Sequence, residues 1–296
     1  MVKPETRDGV LFKGGITNMD NYRIIEGKKK NVSGALGKSF PTIHPYDNYE
    51  PKEGTASVSG TSIFDPVLCE IVYRWFCPDG GSIIDPFAGG SVRGIVAGYL
   101  GHPYTGLDLR ANQIEANNIQ ADDIKPKVKP TWIVGNSENI SDLAKGQYDL
   151  VFSCPPYYDL EVYSDNPEDI SALGTYDEFI VIYRDIIKQC CSMLKDNRFA
   201  CFVVGDIRDK KGFYRGFVGD TIRAFEDAGC ILYNEGILVN VIGSLPIRIT
   251  KQFEYRKLGK CHQTLLVFFK GNPKTIKEEF GVVSIPDEAL IQCDKE

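Results

Sequence analysis

Residues 82–109 read SIIDPFAGGSVRGIVAGYLGHPYTGLDL, and their order decides the fold. An apolar run at 82–85 fits a short buried strand. It breaks at once into Pro86 and the glycine pair Gly89-Gly90. Apolar residues return at helical spacing over 92–100, and a second strand-like run at 104–109 reaches an acid, Asp108. Strand, glycine turn, helix and strand within so few residues make the βαβ unit of a parallel sheet. The glycine pair lets a ligand come close to the backbone, and the helix start behind it offers free N–H groups. In such sheets ligands sit beyond the carboxyl ends of the strands. Asp108 stands at the end of the second strand, where a carboxylate accepts hydrogen bonds from ribose hydroxyls. Asn136 follows the third strand, where a polar tip meets an adenine edge. Taken alone, these features also fit a dinucleotide-dependent oxidoreductase or a purely structural turn. GxxxxGK[ST] does not occur, which argues against a P-loop NTPase.

The alternation continues on both sides. Upstream, Phe64, Val67, Leu68, Ile71, Val72, Trp75 and Phe76 recur at helical spacing, with Asp65 and Pro66 as the helix start. Downstream, the pattern predicts a helix over 112–121, strands over 132–134 and 148–153, and a long helix from Tyr176 to Leu194. A strand over 199–204, a helix over 217–228 stopped by Gly229, and strands over 231–241 and 265–270 follow. Continuous apolar strands between helices predict an α/β, mostly parallel, doubly wound sheet covered on both faces. No helix separates the last two strands, so they are expected to pair as an antiparallel hairpin. Trp75 and Trp132 are read as core. The expected organisation is a loop-rich N-terminal arm over 1–60, one domain over 61–271 and a tail over 272–296 without a motif.

Composition bounds the remaining possibilities. The chain has 296 residues, 43% of them hydrophobic, enough for one large domain with a sizeable core. Its formal net charge of -6 gives no bulk signal for nucleic acid, so any such binding needs a local basic patch. Nine cysteines without a CxxC pair read as reduced thiols, and three distant histidines give no metal-site pattern. The N-terminal stretch lacks an apolar leader, and no run approaches the ~18 apolar residues of a membrane span. A cytoplasmic protein without metal or membrane attachment is expected.

A second motif is more specific. The strand over 148–153 ends in Ser153-Cys154-Pro155-Pro156-Tyr157. Two prolines fix the backbone and remove two N–H donors, leaving carbonyls free to accept. A ring follows at once. That combination suits a base drawn out of its stack, with the ring on its face and acceptors on its amino group. Here the sequence resembles the DNA amino-methyltransferases that act on N4 of cytosine or N6 of adenine. Their hallmarks are a DPFxGxG-like motif and a [DNS]PPY motif, matched at 85–91 and 154–157. The run YYDLEVYS at 157–164 is similar to methylases of bacteriophage and mobile elements.

The resemblance covers about residues 60–270 and implies a Rossmann-like fold of seven strands with an antiparallel last strand. It implies S-adenosylmethionine (SAM) as methyl donor and DNA as partner. Asp85, Pro86, Phe87, Ala88, Gly89 and Gly90 would then line the cofactor, and Asp108 with Leu109 would hold its ribose. Asn136 and Ser137 would lie by its adenine, and Thr61, Ser62 and Phe64 would belong to an upstream cofactor motif. Cys154, Pro155, Pro156 and Tyr157 would form the catalytic motif. Two departures stand out: Gly89-Gly90-Ser91 replaces Gly-x-Gly, and Cys154 stands where the family has Asp, Asn or Ser. A thiol is a weak acceptor, so the Pro155 carbonyl is expected to hold the amino group. The serine-like size of Cys154 leans the target toward cytosine.

For target binding, residues 244–263 read SLPIRITKQFEYRKLGKCHQ. Arg248, Lys251, Arg256, Lys257 and Lys260, interleaved with Phe253 and Tyr255, are candidate nucleic-acid contacts; a solvated hairpin is the plain alternative. Arg208-Asp209-Lys210-Lys211 is a second basic segment. Tyr158, Asp159, Glu161 and Tyr163 are expected to shape the base pocket. With no long segment left for a recognition domain, short or relaxed sequence specificity is expected. An RNA or tRNA amino-methyltransferase of the same fold, or an inactive SAM-fold binding module, are the competing functions.

Overall fold

The computed structural model describes residues 64–160, 166–239, 249 and 252–281. The chain divides into two units, Phe64–Leu238 with His262–Glu296, and Met1–Ile63 with Val239–Cys261. Described elements of the first unit are α1 (Pro66–Phe76), β1 (Ile83–Asp85), α2 (Val92–Leu100), β2 (Tyr104–Asp108), α3 (Ala111–Ile124), β3 (Thr131–Val134), α4 (Ile140–Leu143), β4 (Tyr148–Ser153), α5 (Tyr176–Met193), β5 (Leu194–Val204), α6 (Phe217–Asp227), β6 (Ile231–Val239), β7 (His262–Lys270) and α7 (Ile276–Phe280). Val239, the last residue of β6, falls in the second unit.

The seven strands form one sheet in the order β3-β2-β1-β4-β5-β7-β6. β1 is parallel to β2 and to β4, β2 to β3, and β4 to β5, while β7 runs antiparallel to β5 with Phe199 opposite Phe269. This is the Rossmann-like α/β sheet with a reversed seventh strand that the resemblance implied. The order turns back between β1 and β4, the place where doubly wound sheets bind ligands. β6 and β7 are neighbours, but the expectation that no helix separates them in sequence does not hold, because residues 249 and 252–254 are helical.

Strand periodicity sorts the core onto two faces. On one, Tyr73 and Phe76 of α1 meet Phe152 and Phe199 edge-on, at 5.5 and 5.1 Å between ring centres. On the other, Phe225 of α6 packs on Phe202 and stacks on Phe268 at 4.0 Å. Helix starts are encoded locally. Asp65 accepts hydrogen bonds from the N–H groups of Val67 and Leu68, with Pro66 in the first turn of α1. α5 opens on a reciprocal capping box between Thr175 and Glu178.

Three further expectations change. β5 begins at Leu194, not 199, because a register irregularity near Asp149 admits the polar stretch Lys195–Asn197, with Asn197 at φ +58°. Lys195 and Arg198 donate to Asp149 there at 2.9 and 3.1 Å. Trp75 is 52% exposed on the outer side of α1, whereas Trp132 is buried as expected. The segment after Gly271 carries α7, whose Phe280 packs against Phe199 at 5.0 Å. Among the described residues no helix is long and apolar enough to cross a membrane.

Candidate active site at the carboxyl edge of the sheet

β1 and β4 lie side by side, so the turns that follow them meet. The joint is Asp85, whose side chain is completely buried. One of its oxygens accepts from the Ser153 hydroxyl at 2.5 Å and from the Phe87 N–H at 3.0 Å. The other accepts from Arg93 Nε at 2.6 Å and from the Tyr104 hydroxyl at 2.7 Å. Arg93 also donates to the carbonyls of Phe87 and Ala88 at 2.6 and 3.0 Å, and its guanidinium lies 4.6 Å from the Phe64 ring centre. Burial works against the Arg93 charge, but Asp85 beside it holds the guanidinium protonated. Burial, then Asp85, push the Tyr104 hydroxyl far up, so it stays a donor. A buried carboxylate with four donors does not face a ligand. Among the residues expected to line the cofactor, Asp85 therefore shapes the turn from behind. Arg93 and Ser153 were not singled out in the sequence; Ser153 directly precedes the second motif, which was the available signal.

The glycine turn lies open. A Cβ built on Gly89 or Gly90 meets no atom within 4 Å, and Gly89 holds φ +51°. Gly94 and Gly106 differ: a Cβ on either falls within 3.0 Å of the Trp132, Tyr104 or Ala88 side chains, so Gly94 lets α2 pack on Trp132 and Tyr104, and Gly106 lets the turn at Ala88 pack on β2. The open turn is pinned from below. The Ala88 N–H donates to the Leu107 carbonyl at 2.8 Å, the Gly89 N–H to the Asp108 carboxylate at 3.1 Å, and the Asn117 amide to the Gly89 carbonyl at 2.8 Å. Ser91 turns its hydroxyl toward Gln120, and α2 has no side-chain cap. Its first-turn N–H groups are thus available to an acceptor in the ligand. Asp108 ends β2 as expected, and its other oxygen takes the backbone N–H and Nε of Arg110 at 2.9 and 3.2 Å. Ser137 donates to the Pro86 carbonyl at 2.5 Å, bringing the end of β3 against the same turn. Asn136 caps the turn after β3 by accepting from Glu138 N–H at 2.9 Å. Room above the glycines, a carboxylate at the second strand end and polar groups at the third fit a nucleoside-bearing cofactor such as SAM. Thr61 and Ser62 lie outside the described residues.

At the end of β4, Pro155 is buried, while Cys154, Pro156 and Tyr157 are half-buried. The Cys154 sulfur is 3.9 Å from the Tyr157 hydroxyl, which accepts from the Gln263 amide on β7 at 2.6 Å. The Tyr157 ring packs edge-on against Phe217 at 5.9 Å. Burial, followed by Cys154, raises the Tyr157 hydroxyl well above the ordinary phenol range, so the ring is neutral at any working pH. Tyr158, at φ +49°, is buried against Tyr176 and Phe179. Asp159 pairs with Arg215 at 3.6 Å. Glu161 and Tyr163 lie outside the described residues, as do Arg248 and Lys251. In the second unit Arg256, at φ +53°, is exposed, and Lys257 and Lys260 are half-buried.

No protein-family model and no curated protein matches the sequence. Solved structures with a similar chain path include TrmN from Thermus thermophilus, at 12% identity and TM-score 0.48 over 72% of this chain and 51% of that one. A methyltransferase from Pyrococcus furiosus matches at 14% identity and TM-score 0.45 over 71% and 84%. A magnesium protoporphyrin IX methyltransferase from Synechocystis PCC 6803 matches at 12% identity and TM-score 0.45 over 69% and 79%. The chain spans about half the length of TrmN. These matches favour no substrate, and the fold assignment stands on the strand order and the reversed seventh strand.

Proposed function

We propose that this chain is a SAM-dependent methyltransferase acting on the exocyclic amino group of a base in DNA, N4 of cytosine or N6 of adenine. The observation that carries the reading is the Ser153–Asp85 hydrogen bond of 2.5 Å, which ties the glycine turn after β1 to the Cys-Pro-Pro-Tyr turn after β4. A nucleoside cofactor over the first turn and a base against the second would share one cleft.

When bound, SAM supplies an electrophilic methyl group. The protein's task is to aim a poor nucleophile at it, since the amino lone pair is conjugated with the base. Pro155 and Pro156 cannot donate through their nitrogens, so the turn offers carbonyl acceptors to the amino protons. Cys154 adds a weak acceptor beside them. Hydrogen bonds from both amino protons favour a pyramidal nitrogen with its lone pair free. The neutral Tyr157 ring, steadied by Gln263 and Phe217, is the stacking platform. No covalent enzyme nucleophile is required.

Mass spectrometry of nucleosides after incubation with isotopically labelled SAM tests this. N4-methylcytosine or N6-methyladenine in DNA is the expected product. Label in RNA alone would move the substrate class to RNA, and SAM binding without turnover on either would leave a binding module.

A further inference from the structure

Between β5 and α6 the chain makes a small hairpin that the proposed chemistry does not use. Arg208 and Tyr214 face each other across an antiparallel bridge. The Arg215 N–H donates to the Ile207 carbonyl at 2.9 Å, and the Asp209 N–H to the Phe213 carbonyl at 2.8 Å. The turn is Asp209-Lys210-Lys211-Gly212. The Gly212 N–H closes it on the Asp209 carbonyl at 2.9 Å, and Gly212 holds φ +93°. Asp first and a left-handed Gly fourth is the sequence such a turn demands. The Asp209 carboxylate accepts from the Phe213 N–H at 2.8 Å, and backbone N–H groups led by that of Phe213 hold its carboxyl below the usual range. The Arg208 guanidinium lies 3.7 Å from the Tyr214 ring centre and donates to the Gly212 carbonyl at 2.8 Å. The tip is therefore built rigid by its own sequence.

What the tip presents is unusual for water. Phe213 is 71% exposed, and Lys210 and Lys211 are exposed beside it. Arg208, Lys210 and Lys211 outnumber the charged Asp209, so the tip is positive on a chain of net charge -6. The roots lie at the catalytic turn. Gly205 backs onto the Tyr157 hydroxyl, 4.0 Å from where its Cβ would stand. Arg215 pairs with Asp159 and lies over the Tyr158 and Tyr176 rings at 4.9 and 5.0 Å.

We infer that the 208–214 hairpin is a nucleic-acid contact, with Lys210 and Lys211 on backbone phosphates and Phe213 stacked on a base next to the one being methylated. Two ammonium groups and an outward ring match the two things a strand offers, charge along its backbone and flat faces on its bases. A rigid tip loses little freedom on binding. The inference rests on the proposed function for its choice of partner. An anionic membrane surface would also attract lysines and a phenylalanine, but it offers nothing to the catalytic turn at the hairpin's root.

The test uses the full chain, with K210A/K211A and F213A, a fluorescein-labelled DNA duplex read by anisotropy across a salt series, phosphatidylserine vesicles, and methyl transfer measured in parallel. Thermal unfolding midpoints verify that the exposed substitutions leave the fold intact. F213A is expected to weaken DNA binding about tenfold. K210A/K211A is expected to reduce the slope of log affinity against log salt by about two. Wild-type methylation of DNA with both variants matching it in affinity, slope and rate overturns the hairpin's role and leaves the proposed function standing. Tip-dependent DNA binding without methyl transfer to any nucleic acid supports the hairpin and removes the proposed function. Wild-type protein that binds no nucleic acid, or tip-dependent binding to vesicles in its place, overturns the inference.

Discussion

At Asp85, four donors converge on one buried carboxylate, and removing one has a calculable effect. Arg93→Met would remove the cation paired with the buried Asp85, with an expected loss of about 3–5 kcal/mol in urea denaturation. The glycines separate packing from binding. Gly106→Ala puts a methyl 2.8 Å from Ala88 and from the pinned Tyr104 ring, and is expected to lower stability by about 1–3 kcal/mol. Gly90→Ala meets nothing within 4 Å, so denaturation should shift by no more than about 0.5 kcal/mol while calorimetric SAM affinity falls. Unchanged affinity in Gly90→Ala would mean that the open side of the turn is not the cofactor side. Tyr157→Phe keeps the ring and loses the Gln263 hydrogen bond, whereas Tyr157→Ala removes the ring that the proposed function places against the base. The alanine variant should show roughly tenfold or greater loss in kcat/KM on DNA and the phenylalanine variant much less. The glycine turn and the Pro-Pro-Tyr run were readable because special backbone needs restrict residue type. The work of Arg93 and Ser153 was not, because an arginine inside a helix and a serine at a strand end read as ordinary until the fold brings them to one carboxylate.

Elements were readable where one period dominates. α5 shows a single apolar stripe, and its burial follows that stripe from Phe179 to Met193. Its start was also written in the chain as Thr175-x-x-Glu178, a signature the apolar pattern does not use. Thr175→Ala removes the hydroxyl that accepts from the Glu178 N–H while leaving the backbone N–H that donates to Glu178, and is expected to lower stability by about 1 kcal/mol in a thermal or urea melt. The first half of β5 was hidden for the opposite reason. Lys195, Asp196 and Asn197 look like a loop, and only the partner groups on β4 make them strand. Edge β6 alternates between exposed and half-buried residues, with Ile231, Tyr233, Ile237 and Val239 outward, so its length was visible while its exposure was not. Trp75 failed as a core residue because helical spacing marks a face, not its edges.

For the molecule as a whole, acid should loosen the sheet at the end away from the site. Burial works against the Asp149 charge, but Lys195, the Ser82 N–H and hydroxyl, and Arg198 outweigh it and bring the carboxyl down to about 2. A depressed carboxylate stabilises the fold above its unfolded value near 3.8, and that stabilisation disappears as pH falls toward 2. Asp149→Asn should therefore lose on the order of 2 kcal/mol at neutral pH, with the gap to wild type closing between about pH 4 and 2 in denaturant titrations. At the other end of the same strands, the Asp85 knot has a consequence for inheritance. Positions 85, 93, 104 and 153 answer to one another, so a change tolerated at one depends on what occupies the other three. A change in an outer loop disturbs little else, whereas one at this crossing point of two strands leaves a buried partner stranded unless a second change compensates it.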